Sequence, residues 1–175
     1  KGYSGVAIFT RIAPDRVVIG MGNHKYDCQG RVIRADYGDV TVVCVYIPSG
    51  EAEGPKYEYK MEFLEDFLVW IKELRKERPN IVVCGDYNIA HKPIDINNWK
   101  RQVGVSGFLP EERAWLDQWE ESGMVDTFRM FDQSAEKYSW WSFRAGSRVR
   151  NVGWRIDYHW VSEPMKDRVI EAKIL

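Results

Sequence analysis

Residues Ile81–His91 read IVVCGDYNIAH, and this stretch decides how we interpret the rest of the 175-residue chain. Its first part, Ile81–Cys84, consists of apolar β-formers, which is typical of a strand buried on both faces. Gly85 then permits a sharp turn of the backbone. Asp86 and Asn88 follow at once. Because residues two apart in a strand point the same way, we expect them to present a carboxylate and an amide side by side at the end of the strand.

Oxygen groups of this kind suit a hard cation such as Mg²⁺, which takes only one or two protein ligands when a phosphate supplies others. The alternative is an Asx-rich turn that simply closes the strand, since Asp, Asn and Gly are also the common turn residues. The spacing alone leaves both interpretations open.

Composition limits the classes of protein to consider. A chain of 175 residues with 45% apolar residues is enough for a sizeable core, and we expect one domain over residues 1–175. The formal net charge of −1 argues against coating nucleic acid by bulk charge, so a nucleic-acid site must be a local basic patch.

The three cysteines lack metal-ligand spacing, and two of them lie in apolar runs. This usage predicts a reduced compartment, cytoplasmic or, in a eukaryote, nuclear. The sequence shows no signal peptide, long apolar run or lipidation motif, so it predicts no membrane partner.

Residue patterns predict an α/β or α+β protein with mixed sheets. The predicted elements are a buried strand at Gly5–Thr10, a strand at Val17–Gly20, a hairpin of Arg31–Tyr37 and Val40–Ile47 around Gly38-Asp39, a helix over Lys56–Glu77, a helix from Pro110, and a strand over Arg155–Val161. Alternation along the last strand predicts that Arg155, Asp157 and His159 share one face.

The segment from Lys137 to Ile156 contains no acidic residue, and its basic residues are interspersed with tyrosine, tryptophan and phenylalanine. Positive charge for phosphates together with stacking surfaces is what a nucleic-acid groove needs. A basic surface loop between two core strands is the alternative interpretation, and it also remains open.

Six motifs together resemble one family. They are GYSGVA (Gly2–Ala7), VYIP (Val45–Pro48), CGDYNIAH (Cys84–His91), GFLPEER (Gly107–Arg113), VDTFR (Val125–Arg129) and NVGWRIDY (Asn151–Tyr158). In this order, over nearly the whole chain, they resemble the exonuclease III and apurinic/apyrimidinic (AP) endonuclease family. The resemblance implies the endonuclease/exonuclease/phosphatase fold, a two-sheet mixed β-sandwich flanked by helices. The family's metal-ligating Glu and its Ser-Asp-His motif have no counterpart here. We therefore expect a central portion, truncated at both ends and by itself nearly inactive.

The resemblance also implies an activity, namely Mg²⁺-dependent hydrolysis of DNA phosphodiesters in base-excision repair, with Mn²⁺ as a possible substitute. The expected substrate is double-stranded DNA with abasic sites, incised on their 5′ side, or with 3′ ends from which nucleotides or blocking groups are removed, and the expected state is a monomer. The alternatives are a non-DNA phosphoesterase of the same fold and a non-catalytic DNA-binding remnant. The basic and aromatic segment disfavours the first of these alternatives, and the retained site residues disfavour the second.

Site roles follow from the resemblance, residue by residue. Tyr46 would hydrogen-bond the scissile phosphate, and Asp86 would orient or deprotonate the attacking water or assist the leaving group. Asn88 would hold the nucleophile and a non-bridging oxygen, and Asp86 and Asn88 would lie at the metal. Asp157 would orient a catalytic histidine. An apolar pocket for an extruded abasic sugar would include Trp140, Trp154 and Ile156. The full set of expected DNA contacts is Lys100, Arg101, Gln102, Trp140, Arg150, Asn151, Trp154, Arg155 and Ile156.

Overall fold

The computed structural model describes residues 3–144 and 146–175, so Gly2 of the first motif and Ala145 of the basic and aromatic segment lie outside the described residues. The helices are α1 (His24–Asp27), α2 (Pro55–Glu77), α3 (Trp99–Gln102), α4 (Pro110–Glu121) and α5 (Thr127–Phe131), with 3₁₀ turns at Pro93–Asp95 and Glu163–Arg168. The strands are β1 (Arg16–Ile19), β2 (Val32–Tyr37), β3 (Val40–Tyr46), β4 (Asn80–Asp86), β5 (Met124–Asp126), β6 (Trp140–Trp141), β7 (Gly153–Trp154) and β8 (Asp157–Ser162).

A six-stranded mixed sheet, in the order β1-β2-β3-β4-β8-β5, organises the fold. β3 and β4 run parallel, since helix α2 provides the crossover that a parallel pair needs. The other pairs of this sheet are antiparallel. The β2–β3 hairpin turns at Gly38 and Asp39, as the sequence predicts, with a left-handed φ of 54° at Gly38. The predicted α+β class with mixed strands and flanking helices is confirmed.

Helices α2 and α4 cover one face of this sheet. The predicted apolar stripe of α2 packs on inward-facing residues of β3 and β4 such as Val43 and Val83. Between the helices, the ring of Trp119 stacks on Phe67 and Trp115, with centroids 5.6 and 5.4 Å apart. Each such side chain contributes about 1.5–3 kcal/mol through its burial, so this layer holds the central strands in place.

The opposite face of the sheet carries the other set of alternating residues. On β3, Thr41, Val43 and Val45 are buried toward the helices, whereas Cys44 and Tyr46 remain partly exposed on the other side. This alternation is the two-residue period of a strand. The partly exposed face is therefore where the side chain of Tyr46 lies.

A two-stranded sheet of β6 and β7 lies beside the large one, with Trp140 paired to Trp154. Trp154 also forms a bridge to Ile96 and packs against a second apolar cluster that includes Phe108 and Ile156. None of the helices among residues 3–144 and 146–175 has the length and apolarity needed to cross a membrane.

Two predicted elements are corrected by the structure. The buried strand at Gly5–Thr10 is wrong: these residues form no strand, and Phe9 is 98% exposed, because no strand of the described chain pairs with this apolar run. The last strand begins at Asp157, so alternation does not extend back to Arg155. Arg155 is 1% exposed, whereas Asp157 and His159 are exposed on the other face of the sheet.

Candidate active site

Three neighbouring strands bring Tyr46, Asp86 and Asp157 into one lateral row. In the parallel pair Tyr46 lies opposite Asp86, and in the antiparallel pair Asp86 lies opposite Asp157. Residues directly opposite on adjacent strands project from the same face, with Cβ atoms about 4.5–5.5 Å apart in an antiparallel pair. The row therefore joins a phenol and two carboxylates whose positions in the sequence are far apart.

Asn88 follows this row in a tight turn. Its φ of 51° is left-handed, and its backbone N–H donates to Asp86 Oδ1 over 2.8 Å. Its side-chain Nδ2 donates to the carbonyl of Ile47 at 2.9 Å and to Asp86 Oδ2 at 3.3 Å. The predicted pairing of carboxylate and amide is thus present, although through an Asx turn and not through strand alternation. None of the hydrogen bonds found among the described residues uses Asn88 Oδ1, so this oxygen is available to a ligand.

Gly85 makes the close approach of β3 and β4 possible at this point. Its φ is 141°, and a Cβ atom placed there would lie 1.9 Å from the carbonyl oxygen of Val45. Any side chain would therefore push the two strands apart immediately beside Tyr46 and Asp86. The glycine is required by the geometry of the row.

The electrostatics of the row favour a proton or a cation at Asp86. Burial, together with the negative charge of Asp157, raises the pKa of Asp86 to about 6, although the hydrogen bond from Asn88 and the positive charge of Lys60 lower it. A carboxylate with these surroundings is poised to change its protonation state near neutral pH. It is also poised to bind positive charge.

Asp157 lies at the edge of a cleft. Burial raises the pKa of Asp157, whereas a hydrogen bond with Ser139 and the electrostatic interaction with His159 lower it. The hydroxyl oxygen of Ser139 accepts hydrogen bonds from the backbone N–H groups of Ile156 and Asp157, at 3.1 and 3.0 Å, which fixes the start of β8. The cleft has a volume of about 370 Å³ and runs between β8 and residues 169–174, with Asp157 and His159 in its wall.

Tyr46 is held by Arg31, which is 3% exposed. The backbone N–H of Tyr46 donates to the carbonyl of Arg31 at 2.9 Å, and the guanidinium of Arg31 donates back to the carbonyl of Tyr46 at 3.1 Å. The guanidinium also lies 5.2 Å from the centre of the Tyr46 ring, a cation–π distance. These contacts fix the phenol ring at the end of β3.

The donors at this site fit a hard divalent cation. They are the carboxylate oxygens of Asp86 and Asp157 and the amide oxygen of Asn88, which is the ligand chemistry of Mg²⁺ and Mn²⁺. A cation would also offset the repulsion between the two carboxylates. A separate group of possible ligands, His91, Asp117 and Glu120, already has a cation: the ammonium of Lys92 contacts Asp117 and lies 3.5 Å from Glu120.

The apolar residues expected to form a sugar pocket meet next to this site. Trp154 and Ile156 belong to one cluster, and Trp140, 42% exposed, meets the Trp154 ring edge-on with centroids 6.5 Å apart. Ile156 also adjoins the site through the backbone, since its carbonyl accepts a hydrogen bond from the N–H of Tyr87 at 2.8 Å. The structure therefore links Trp140 to Trp154 and Trp154 to the cluster of Ile156, the residue directly before Asp157.

Two of the expected DNA contacts, Arg155 and Asn151, make hydrogen bonds within the chain. Arg155 is an interior residue: its Nε donates to Asp95 at 2.8 Å and its terminal nitrogen to Asp126 at 2.7 Å. The expected DNA contact of Arg155 does not fit this burial. Asn151 has a left-handed φ of 50° and hydrogen-bonds Trp141 and the carbonyl of Glu136, so it shapes its own loop.

The remaining expected contacts lie at the surface. Lys100 and Arg101 are exposed on helix α3, and Gln102 is partly exposed at its end. Arg150 is exposed in the loop between β6 and β7, which also presents the fully exposed ring of Phe143. Basic and aromatic groups are therefore exposed on α3 and on the loop between β6 and β7.

A buried ion pair behind Asn88 was not anticipated from the sequence. Lys60 of α2 and Glu112 of α4 are 1% and 0% exposed, and Lys60 Nζ lies 2.6 Å from Glu112 Oε1. The signal was present, since Lys60 lies four residues before Leu64 and so shares the apolar stripe of α2.

The chain is similar to known proteins over nearly its whole length. The sequence model of the endonuclease/exonuclease/phosphatase family matches residues 1–174. An exodeoxyribonuclease from Bacillus subtilis is 41% identical over 175 residues, which are 99% of this chain and 69% of that protein. A Neisseria 3′ phosphatase bound to a product DNA hairpin superposes with a TM-score of 0.85 at 27% identity, over 90% of this chain and 62% of that one. An AP endonuclease from Archaeoglobus fulgidus gives 0.83 at 27% identity, over the same shares of 90% and 62%. The chain thus spans about two thirds of each protein. As the resemblance of its motifs to exonuclease III and the AP endonucleases predicts, the chain belongs to the endonuclease/exonuclease/phosphatase family.

Proposed function

We propose that the protein hydrolyses DNA phosphodiesters with the help of Mg²⁺, incising 5′ to abasic sites and removing nucleotides or blocking groups from 3′ ends. The single observation that carries this proposal is the row of Tyr46, Asp86 and Asp157, with Asn88 beside it. The names of the relatives, an exodeoxyribonuclease, a 3′ phosphatase and an AP endonuclease, support the same reaction class.

Each residue of the row would serve a distinct step. Asp86 would hold or remove a proton of the attacking water, a role suited to a carboxyl group whose pKa is raised to about 6. Asn88 would accept a hydrogen bond from that water through its unused Oδ1, and the hydroxyl of Tyr46 would donate a hydrogen bond to a phosphate oxygen. Asp157 would orient an imidazole that transfers a proton to or from the scissile phosphate. Bound Mg²⁺ would supply positive charge for the phosphate and lower the pKa of water.

The pocket would supply selectivity. Its walls would be Trp154, Ile156 and the edge of Trp140, which would provide an apolar lining without base-reading hydrogen bonds. An abasic sugar extruded from the duplex would fit such a lining, whereas a complete nucleotide would be excluded by its size. Lys100 and Arg101, both exposed, would bind backbone phosphates nearby.

The test is cleavage of a duplex oligonucleotide with one tetrahydrofuran abasic analogue by the full native chain, in Mg²⁺ and in EDTA. We expect Asp86→Asn and Asn88→Ala to lower the rate by about 10²-fold or more, the usual effect of removing an acid–base group or a fixed dipole. The exposed Asp167→Asn variant is the matched control.

Three results would contradict the proposal. They are Mg²⁺-independent cleavage, wild-type rates in the Asp86→Asn protein, and hydrolysis of a soluble inositol phosphate in preference to the abasic duplex. The last result would favour the non-DNA phosphoesterase instead.

A further inference from the structure

The buried pair Lys60–Glu112 contacts the backbone of three loops around the site. Lys60 Nζ donates to Glu112 Oε1 at 2.6 Å and to the backbone carbonyl of Asn88 at 2.8 Å. Asn88 has the left-handed backbone described above, with a φ of 51°. The first loop that the pair holds is therefore the turn that carries the Asn88 amide.

The second loop is the turn before α4. Glu112 Oε2 accepts hydrogen bonds from the backbone N–H groups of Gly107 and Leu109, at 2.6 and 3.0 Å. Gly107 has a φ of 91°, and a Cβ atom there would lie 2.9 Å from the Trp154 ring and 3.2 Å from the Asn88 carbonyl. The turn that Glu112 fixes is thus packed between the pocket tryptophan and the Asn88 turn.

The third loop follows β3. A Cβ atom at Gly50 would lie 3.0 Å from Lys60 Cδ and 3.8 Å from Glu112 Oε1, so the backbone at Gly50 lies directly over the pair. Gly50 is four residues after Tyr46. The pair therefore underlies the loops that extend from the Tyr46 and Asp86 ends of β3 and β4.

The attraction between the two charges is by itself a poor source of stability. Replacing a buried ion pair by apolar side chains of similar size is often neutral or stabilising, because the pair no longer has to be stripped of water. The rest of the buried stripe of α2 is apolar, so an apolar residue at position 60 would match its neighbours. What an apolar residue cannot do is hydrogen-bond the carbonyl of Asn88. A strained backbone of this kind persists when its surroundings fix it.

We propose that Lys60 and Glu112 are positioning residues, which hold the Asn88 turn and the Gly107–Leu109 turn in a fixed relation so that the Asn88 amide and the Trp154 pocket engage the same substrate. The inference rests on the proposed function, since it assigns these loops to catalysis and to sugar recognition. It makes one pair of buried charges responsible for both.

The test compares three variants of the full native chain on the duplex with one tetrahydrofuran abasic analogue. Lys60→Met/Glu112→Met replaces the pair by apolar side chains, Glu112→Gln keeps the shape of the carboxylate without its charge, and Lys56→Met is a control one turn earlier on α2, where Lys56 is exposed and pairs with Glu51. Urea unfolding is measured for each variant, together with KM and the single-turnover cleavage rate.

We expect the double variant to unfold at a lower urea concentration than wild type, because the N–H groups of Gly107 and Leu109 lose their acceptor. The folded double variant should cleave at least about 10-fold more slowly, with KM within about 3-fold, because Asn88 is displaced while the surface contacts remain. Folded Glu112→Gln should be at least about 5-fold slower, and Lys56→Met should match wild type. Wild-type cleavage by either folded pair variant would overturn the inference. If the double variant does not fold, Glu112→Gln decides the outcome.

A second measurement does not depend on activity. The side-chain amide resonances of Asn88, assigned with the Asn88→Ala protein, should shift or broaden in the pair variants and stay unchanged in Lys56→Met. If wild type fails to cut DNA, the proposed function fails, and these resonances still test the positioning. Unchanged resonances in a folded pair variant would refute it.

Discussion

Replacing Asp86 by Asn should make the protein more stable at neutral pH, because the charge of Asp86 is unfavourable in the folded state. The pKa of this carboxyl is about 6 in the folded protein, against an ordinary 3.8. The difference corresponds to about 3 kcal/mol of free energy lost when the group ionises in the fold. Asn has nearly the same shape and carries no charge, so it removes this cost.

The sign of the pH dependence follows from the raised pKa. Between pH 3.8 and about 6 the folded state holds a proton that the unfolded state has already lost. Wild-type stability therefore falls through this window, and the full cost is present above it. Asp86→Asn does not titrate here, so the gap in unfolding free energy between variant and wild type should widen by about 2 kcal/mol from pH 4.5 to pH 8.

The assay is urea unfolding of both proteins in EDTA across this pH range, with Asp167→Asn as a control for loss of an exposed carboxylate. Differences in unfolding free energy that do not depend on pH, such as the effect of an altered hydrogen bond to Asn88, cancel because only the change with pH is compared. Mg²⁺ at pH 8 should then stabilise wild type more than Asp86→Asn, since ligand binding to the folded state raises its stability. A gap that stays constant or narrows as the pH rises would refute the reasoning.

Three other substitutions test single features of the site. Gly85→Ala should cost more than about 3 kcal/mol or abolish folding, because its Cβ would lie 1.9 Å from the Val45 carbonyl; a urea midpoint near wild type would contradict the close approach. Trp154→Ala should reduce the preference for abasic over intact duplex by about 1–3 kcal/mol in competitive binding, with exposed Trp99→Ala as control, and equal losses on both duplexes would indicate a purely structural role. Arg155→Met should cost about 3–5 kcal/mol in urea unfolding, because it leaves buried Asp126 without its cation and buried Asp95 with Arg129 alone; a loss below about 1 kcal/mol would contradict that pairing.

The central part of the site could be predicted because it depends on local rules. The apolar run Ile81–Cys84 followed by Gly85 fixes a buried strand and its end, and Asp86 and Asn88 follow directly. The Gly38-Asp39 turn defines the hairpin that places Tyr46 at the end of β3. The row itself required the register of three strands, which only the resemblance to a known family suggested in advance.

The failures have physical causes of their own. A helical pattern assigns Lys60 to the buried stripe of α2 by position, but charge argues for the surface, and nothing in the sequence reveals its partner 52 residues away. The alternating pattern predicts a strand from Arg155, two residues before β8 begins at Asp157, because the pattern does not mark the start of the strand. At Gly5–Thr10 the apolar composition was correct for a strand, yet composition carries no information about whether a pairing neighbour is present.

The row of Tyr46, Asp86 and Asp157 has a consequence for folding kinetics. Its members come from three strands far apart in the chain, and the β3–β4 pair is parallel, so the row forms only after slow, non-local pairing. A slip of one residue between β4 and either neighbour would turn a member of the row to the wrong face. A nascent or partly folded chain therefore lacks the site altogether, and the capacity to attack a phosphodiester would appear only in molecules whose sheet is complete and in register.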